Sequence, residues 1–227
     1  MSWAEWIRTV EIEPSLYAAD FSRLGEQVQL LLDAGVRIFH FDVGDGHFIP
    51  PVTMGPIVLK SIAPLAHAAG GVFDCHLMVE SPERHIPQFA EAGGDSVTVH
   101  FETCPDLPGA IRLAREHGLA AGMALNPETA VEEPAAAAIE AGVDLVLCMS
   151  VHPGYSGAAF IPESVGRVRA LRGLLPESVH VQVDGGIGRE NIGELRDAGA
   201  SLFVAATAIF GQEDPAAAYR RLAQAVA

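Results

Sequence analysis

The sequence predicts a (β/α)8 barrel, and two observations carry that prediction. The first is a phrase that recurs along the chain: a helix-forming run closed by Ala-Gly or His-Gly, then at once a hydrophobic run. It reads Asp33-Ala34-Gly35 before VRIFHFDV, Glu91-Ala92-Gly93 before GDSVTVHF, and Glu116-His117-Gly118 before LAAGMAL. It returns as Glu140-Ala141-Gly142 before VDLVLCMS and Asp197-Ala198-Gly199 before ASLFVAA. Glycine suits the position after a helix, where the backbone turns left-handed. The second observation is spacing: these glycines lie 58, 25, 24 and 57 residues apart, which reads as two, one, one and two units of a period near 28. A chain of 227 residues then holds about eight units, the number that closes a parallel sheet. An open doubly wound sheet has the same alternation, but no change of spacing marks a switch point. Nor is there a Ser-, Gly- or Pro-rich linker, so residues 1–227 are expected to form one barrel domain.

The elements follow in order. Strand 10–16 leads into helix 20–34, stopped by Gly35, and strand 37–43 into helix 55–66, the segment GPIVLKSIAPL. Strand 72–79 precedes helix 82–92 with its stop at Gly93, and strand 96–102 precedes helix 106–117 with its stop at Gly118. Strand 120–125 is followed by helix 128–141, where Ala135 to Ala138 are strong helix formers. Strands 143–149, 179–184 and 202–206 alternate with helices 162–173, 189–198 and 214–225. Most strands are nearly continuous apolar runs, as parallel strands covered on both faces require.

Composition excludes several functions. Fourteen Lys and Arg against 29 Asp and Glu give a net charge of −15, so the basic footprint for nucleic acid or anionic membrane is missing. Lys60 is the sole lysine and lies in the second predicted helix, which argues against imine-forming aldolase chemistry. Cys75, Cys104 and Cys148 form no C-x-x-C pair and no disulfide framework, so a reducing cytoplasm is expected. Residues 1–13 lack the features of a signal peptide, and no apolar run is long enough to span a membrane.

A barrel keeps its chemistry at the C-terminal ends of its strands. In Phe39-His40-Phe41-Asp42-Val43, alternation puts His40 and Asp42 on one face and the three apolar residues on the other. Asp74, His76 and Met78 share a face of the third strand, and Asp184 ends the seventh before Gly185-Gly186. Each polar residue alone is better explained as a hydrogen-bonded barrel histidine or a loop-capping aspartate. Two His and two Asp at one rim instead suit a divalent metal: zinc, iron(II), manganese or cobalt. Pro153-Gly154-Tyr155-Ser156-Gly157, Asp184-Gly185-Gly186 and Ala205-Ala206-Thr207 form small-residue turns after strands six, seven and eight, where barrels commonly seat phosphate on backbone N–H groups. None is a P-loop, a dinucleotide fingerprint or a nucleophile elbow.

Together these segments resemble the ribulose-phosphate 3-epimerase family. The resemblance spans nearly the whole chain: Pro14-Ser15-Leu16 with Ala19-Asp20-Phe21, His40 to Phe48, Asp74 to Met78, Met149 to Gly154, Val183 to Ile187 and Ala208-Ile209-Phe210. It implies a ribulose-phosphate-binding type of barrel. It further implies that His40, Asp42, His76 and Asp184 bind one divalent ion per subunit, and that Asp42 and Asp184 exchange protons with a sugar phosphate. Ser15 and His76 would touch the sugar. Met78 and Met149 would form an apolar lining, and Gly154, Tyr155, Ser156, Gly157, Gly185, Gly186, Ala206 and Thr207 would hold the phosphate. The reaction implied is reversible epimerisation at carbon 3 of D-ribulose 5-phosphate to D-xylulose 5-phosphate, in a dimer or hexamer. The family usually has Met at Gly44, Asn at Pro51 and His152, Gln at Ala158 and Gly-Ser at Ala206-Thr207. Gly44 suggests extra room beside the metal, hence the alternative substrate D-allulose 6-phosphate. A barrel that binds a sugar phosphate without turning it over is the reading outside enzymes. A phosphate-binding-barrel decarboxylase would need a strand lysine that this chain lacks.

Overall fold

The computed structural model describes residues 3–7 and 9–226. Eight strands form one parallel sheet: β1 (Glu11–Pro14), β2 (Ile38–Gly44), β3 (Val72–Met78), β4 (Ser96–His100), β5 (Ala120–Leu125), β6 (Leu145–Met149), β7 (His180–Asp184) and β8 (Leu202–Ala205). Their order is β1-β8-β7-β6-β5-β4-β3-β2, and an isolated parallel bridge from Ser15 to His40 brings the ends together, so a (β/α)8 TIM barrel is formed. Between the strands run α2 (Leu24–Asp33), α3 (Pro56–Ala68), α4 (Ile86–Ala92), α5 (Leu107–Glu116), α6 (Glu132–Ala141), α7 (Ser164–Leu174) and α8 (Ile192–Asp197). After β8 come the short α9 (Thr207–Phe210) and the closing α10 (Pro215–Val226), and a short α1 (Trp3–Trp6) precedes β1.

The repeating phrase does what its chemistry requires. Gly35, Gly93, Gly118, Gly142 and Gly199 all have positive φ, from 69° to 112°. Each lets the chain leave a helix and enter the next strand without the steric cost a side chain would bring.

Alternation along the strands divides two apolar regions. Phe39, Phe41 and Val43 face outward into the layer between sheet and helices, with Phe73, Val97, Val146 and Phe203. Inside the barrel, Ile38, Val72, Ala120, Leu145 and Leu202 start five of the strands, and Trp3 and Trp6 pack against them. The two indoles meet edge to face, with centroids 5.2 Å apart. Helix α1 thus closes the floor of the barrel. The Arg37 guanidinium fixes it by donating to the Glu5 and Trp6 carbonyls.

Most element ends shift by a few residues from the expectation, by up to four at the starts of the helices before Gly35 and Gly142, and two of the shifts lie beside the site. The fourth strand ends at His100, where residues 101–103 turn into a 3-10 helix, rather than continuing to 102. The eighth ends at Ala205, and Thr207 begins α9 instead of extending the strand.

Candidate active site

Above the apolar floor the inward positions turn polar, and β-pairing sets the levels. His40 is level with Asp74, Asp42 with His76, and Met149 with Asp184. In the lower level, Gln182 Nε2 donates to Glu13 Oε2 at 2.8 Å and to Asp74 Oδ2 at 2.9 Å, and Ser96 Oγ donates to Asp74 Oδ1 at 2.5 Å. His40 Nδ1 lies 3.2 Å from Asp74 Oδ2 and 3.6 Å from Glu13 Oε2. This layer holds Nδ1 of His40 and leaves its Nε2 on the side of Asp42.

In the upper level, Asp42 Oδ1 lies 3.3 Å from His40 Nε2 and 3.2 Å from His76 Nδ1, while Oδ2 accepts a 2.5 Å hydrogen bond from Ser15. Asp184 Oδ2 is 3.8 Å from His76 Nδ1. Candidate ligand atoms of His40, Asp42, His76 and Asp184 all fall within 4.8 Å of one another, so the four residues picked out at the barrel rim do converge. The buried Nε2 of His40, although 3.3 Å from Asp42 Oδ1, makes no aligned hydrogen bond among the described residues. Imidazole nitrogens and carboxylate oxygens turned toward one point form a donor set that a divalent cation satisfies, so these residues fit such an ion.

Environment splits the two carboxylates. Burial opposes ionisation of Asp42, but the charge and close approach of His40 and the charge and hydrogen bond of His76 outweigh it, and its pKa is lowered. Asp184 is pushed the other way, to about 7, by burial and by the charge of Asp42. Burial lowers His76 to about 4 and raises Glu13 to about 7. His40 rises well above its ordinary value: burial opposes the charged ring, but the Asp42 charge and the close carboxylates of Asp42, Asp74 and Glu13 outweigh it.

A cavity open to solvent lies over this cluster. Its lining includes Ser15, Asp42, Met78, Met149, Gly154 to Gly157, Asp184, Gly185, Gly186, Ala206 and Thr207, which brings the proposed metal rim and the three small-residue turns into one space. His40 and His76 lie beneath its floor, fully buried. Among the described residues its wall holds no Lys or Arg. Gly185 and Gly186 reach it with φ of 121° and 62°; a Cβ on Gly186 would stand 2.7 Å from the Phe160 backbone nitrogen, so only a bare backbone fits.

Gly44 does not leave room beside the cluster. A Cβ there would meet Ile49 Cδ1 at 2.6 Å and the Pro51 carbonyl at 2.7 Å, because the 45–52 loop folds back over the strand end. Thr53 pins that loop, accepting from Gly44 N and donating to the Asp42 carbonyl. His152 stands at the surface, paired with Glu128. Sequence reasoning missed Tyr17, which lines the cavity, and the orienting pair Glu13 and Gln182. Period-two counting back from Ser15 and Asp184 would have turned Glu13 and Gln182 inward.

A family model described as the ribulose-phosphate 3 epimerase family matches residues 11–210. The chain belongs to the ribulose-phosphate 3-epimerase family. It is accordingly an isomerase of the epimerase type. Named ribulose-phosphate 3-epimerases are similar over most of its length: one from Escherichia coli (strain K12) is 41% identical, covering 89% of this chain and 90% of that protein. One from Bacillus subtilis (strain 168) is 37% identical, covering 90% and 94%. The fold itself is shared more widely than this family. KGPDC from Streptococcus mutans superposes with a TM-score of 0.73 at 12% identity, covering 96% of this chain and 98% of that one. 3-Hexulose-6-phosphate synthase from Salmonella typhimurium gives 0.73 at 18%, covering 95% and 98%.

Proposed function

We propose that this protein interconverts D-ribulose 5-phosphate and D-xylulose 5-phosphate by moving the proton on carbon 3. The carrying observation is the unequal pair Asp42 and Asp184: two carboxyls at one cavity floor, one favoured in its ionised form and the other pushed up to about 7, within reach of a proton near neutral pH. Inverting a carbon requires a base on one face and an acid on the other, and environment has prepared one of each. Asp42 accepts the carbon 3 proton of one epimer, Asp184 returns a proton from the opposite side, and the roles exchange in reverse.

The proton beside a ketone is too weakly acidic for a carboxylate alone. A divalent ion held by His40, Asp42, His76 and Asp184 would supply Lewis-acid stabilisation to the charge of a 2,3-enediolate. Zinc, iron(II), manganese and cobalt all suit two imidazoles and two carboxylates. Ser15, bonded to Asp42, fixes the base and stands where a sugar hydroxyl would lie. Met78 and Met149 give the site an apolar wall that keeps water from the enediolate. The phosphate would rest on backbone N–H groups of Gly154 to Gly157, Gly185, Gly186, Ala206 and Thr207, in a wall that holds no Lys or Arg among the described residues. The charge of −15 is compatible with such a ligand because the anion is met by amide dipoles.

No helix among the described residues is long and apolar enough to cross a membrane. Three cysteines without a disulfide framework favour a reducing cytoplasm. The hexulose-phosphate alternative loses its physical motive, since Ile49 fills the space above Gly44. Incubation of the metal-supplied protein with D-ribulose 5-phosphate in D2O tests the proposal. Deuterium at carbon 3 and formation of D-xylulose 5-phosphate are expected; no label, or a higher kcat/KM on D-allulose 6-phosphate, would refute it.

A further inference from the structure

His76 Nε2, the ring nitrogen turned away from Asp42 and Asp184, lies 2.8 Å from His100 Nε2. The two rings are nearly parallel, 21° apart with centroids separated by 5.0 Å. His100 Nδ1 in turn lies 3.2 Å from Glu102 Oε2. Both histidines are fully buried, and Phe48 covers His100 with its ring centroid 4.7 Å away. Glu102 is itself fixed, because its Oε1 accepts from the Asn126 backbone N–H and the Thr129 hydroxyl. Arg167 holds that same loop by donating to the carbonyls of Asn126, Pro127 and Thr129.

Two ring nitrogens at hydrogen-bond distance can share only one proton between them, and a carboxylate at the far end only accepts. With an ionised Glu102, His100 must carry its proton on Nδ1, which leaves His100 Nε2 as an acceptor. His76 must then carry a proton on Nε2, and the Nδ1 that faces Asp42 and Asp184 is free to present a lone pair. We propose that His100 and Glu102 are positioning residues that set the tautomer and ring plane of His76, so that its Nδ1 serves as a ligand to the divalent ion. Neither residue touches the candidate ligand point or lines the cavity. The inference rests on the metal reading given above and adds how one of its four ligands is prepared. His40 is prepared independently by Asp74 and Glu13, so each imidazole has its own carboxylate-ended support.

Metal affinity tests this without recourse to turnover. Zinc would be titrated into the unaltered protein, His100→Leu and His100→Gln, with folding checked by circular dichroism. His100→Leu removes the acceptor and is expected to weaken zinc binding by about 10–100-fold, the usual effect of losing such a support. His100→Gln keeps an acceptor oxygen and a donor amide and should recover most of the affinity. If the leucine variant does not fold, 15N spectra of the histidine rings in the zinc-loaded unaltered protein decide the matter: His100 should be protonated at Nδ1 and bare at Nε2. Unchanged affinity in a folded His100→Leu, or a proton on His100 Nε2, overturns this inference alone. Failure of the unaltered protein to bind zinc, manganese, iron(II) or cobalt overturns the metal reading and this inference with it.

Discussion

Ile49 occupies the space that a side chain on Gly44 would need, with its Cδ1 2.6 Å from a Cβ built there. The two residues therefore act as one volume at the end of β2. Gly44→Met should overpack this point and cost about 1–3 kcal/mol. Urea denaturation would read the loss, and combining it with Ile49→Ala should restore part of it. Equal stability of Gly44→Met and the unaltered protein would contradict the close contact.

Replacing either carboxyl of the unequal pair removes a proton carrier. Asp42→Asn and Asp184→Asn are each expected to lower kcat by at least about 100-fold, the lower range of general acid–base contributions. Metal content must be measured alongside, because both residues also belong to the candidate ligand set. A near-normal rate in either variant would remove that residue from the proposed mechanism.

Metal binding should release protons. His40 holds its proton to higher pH than a free imidazole, because the Asp42 charge and the neighbouring Asp74 and Glu13 outweigh burial. A cation bound at its Nε2 must displace that proton, so affinity should strengthen as pH rises through the neutral range. Calorimetric titrations in buffers of different ionisation enthalpy count the protons directly. A pH-independent affinity with no proton release would be inconsistent with the site described.

In the metal-free protein, Glu13 and Asp184 contribute the opposite trend to stability. Both titrate near 7 when folded, against ordinary values of 4.5 and 3.8. On these two groups the folded state binds more protons than the unfolded state, so their contribution is complete below about pH 4 and is lost as pH rises to about 7. His76, lowered to about 4, works the other way below about 6.5, so the test is a comparison of variants. Between pH 4.5 and 7.5, Glu13→Gln should gain thermal stability relative to the unaltered protein as pH rises; a pH-independent difference would contradict the raised Glu13.

Gly185 turns under Val151, and a Cβ there would lie 2.4 Å from Val151 Cγ2 with φ at 121°. Gly185→Ala should distort the turn at a cost of about 1–3 kcal/mol and raise KM for the sugar phosphate by about tenfold. Steady-state kinetics on the purified variant would check it. An unchanged KM would argue against phosphate contact at this turn.

The barrel was legible because its local signals agree: a helix stop, a buried strand and a fixed period all describe one unit. His40, Asp42, His76 and Asp184 were legible because polar residues break otherwise apolar strand ends. Helix α1 was not, since Trp3 and Trp6 gain meaning only once a barrel floor exists to receive them. His100 lay on an inward position, but its partners His76 and Glu102 come from a neighbouring strand and from the turn that follows its own. Gly44 misled because the loop that covers it is set by Thr53 and Ile49, five and more residues onward, and local sequence carries no sign of that return.

The barrel is joined unevenly. Seven strand pairs are continuous ladders, whereas β1 and β2 meet through the single bridge between Ser15 and His40. That bridge sits at the chemical centre, since one of its residues holds Asp42 and the other belongs to the cluster. An ion gripped by β2, β3 and β7 would brace the lumen across this seam. Amide hydrogen exchange should accordingly run fastest along the facing edges of β1 and β2 and slow there when the centre is filled, which makes the site a clasp on the breathing of the barrel as well as the seat of its chemistry.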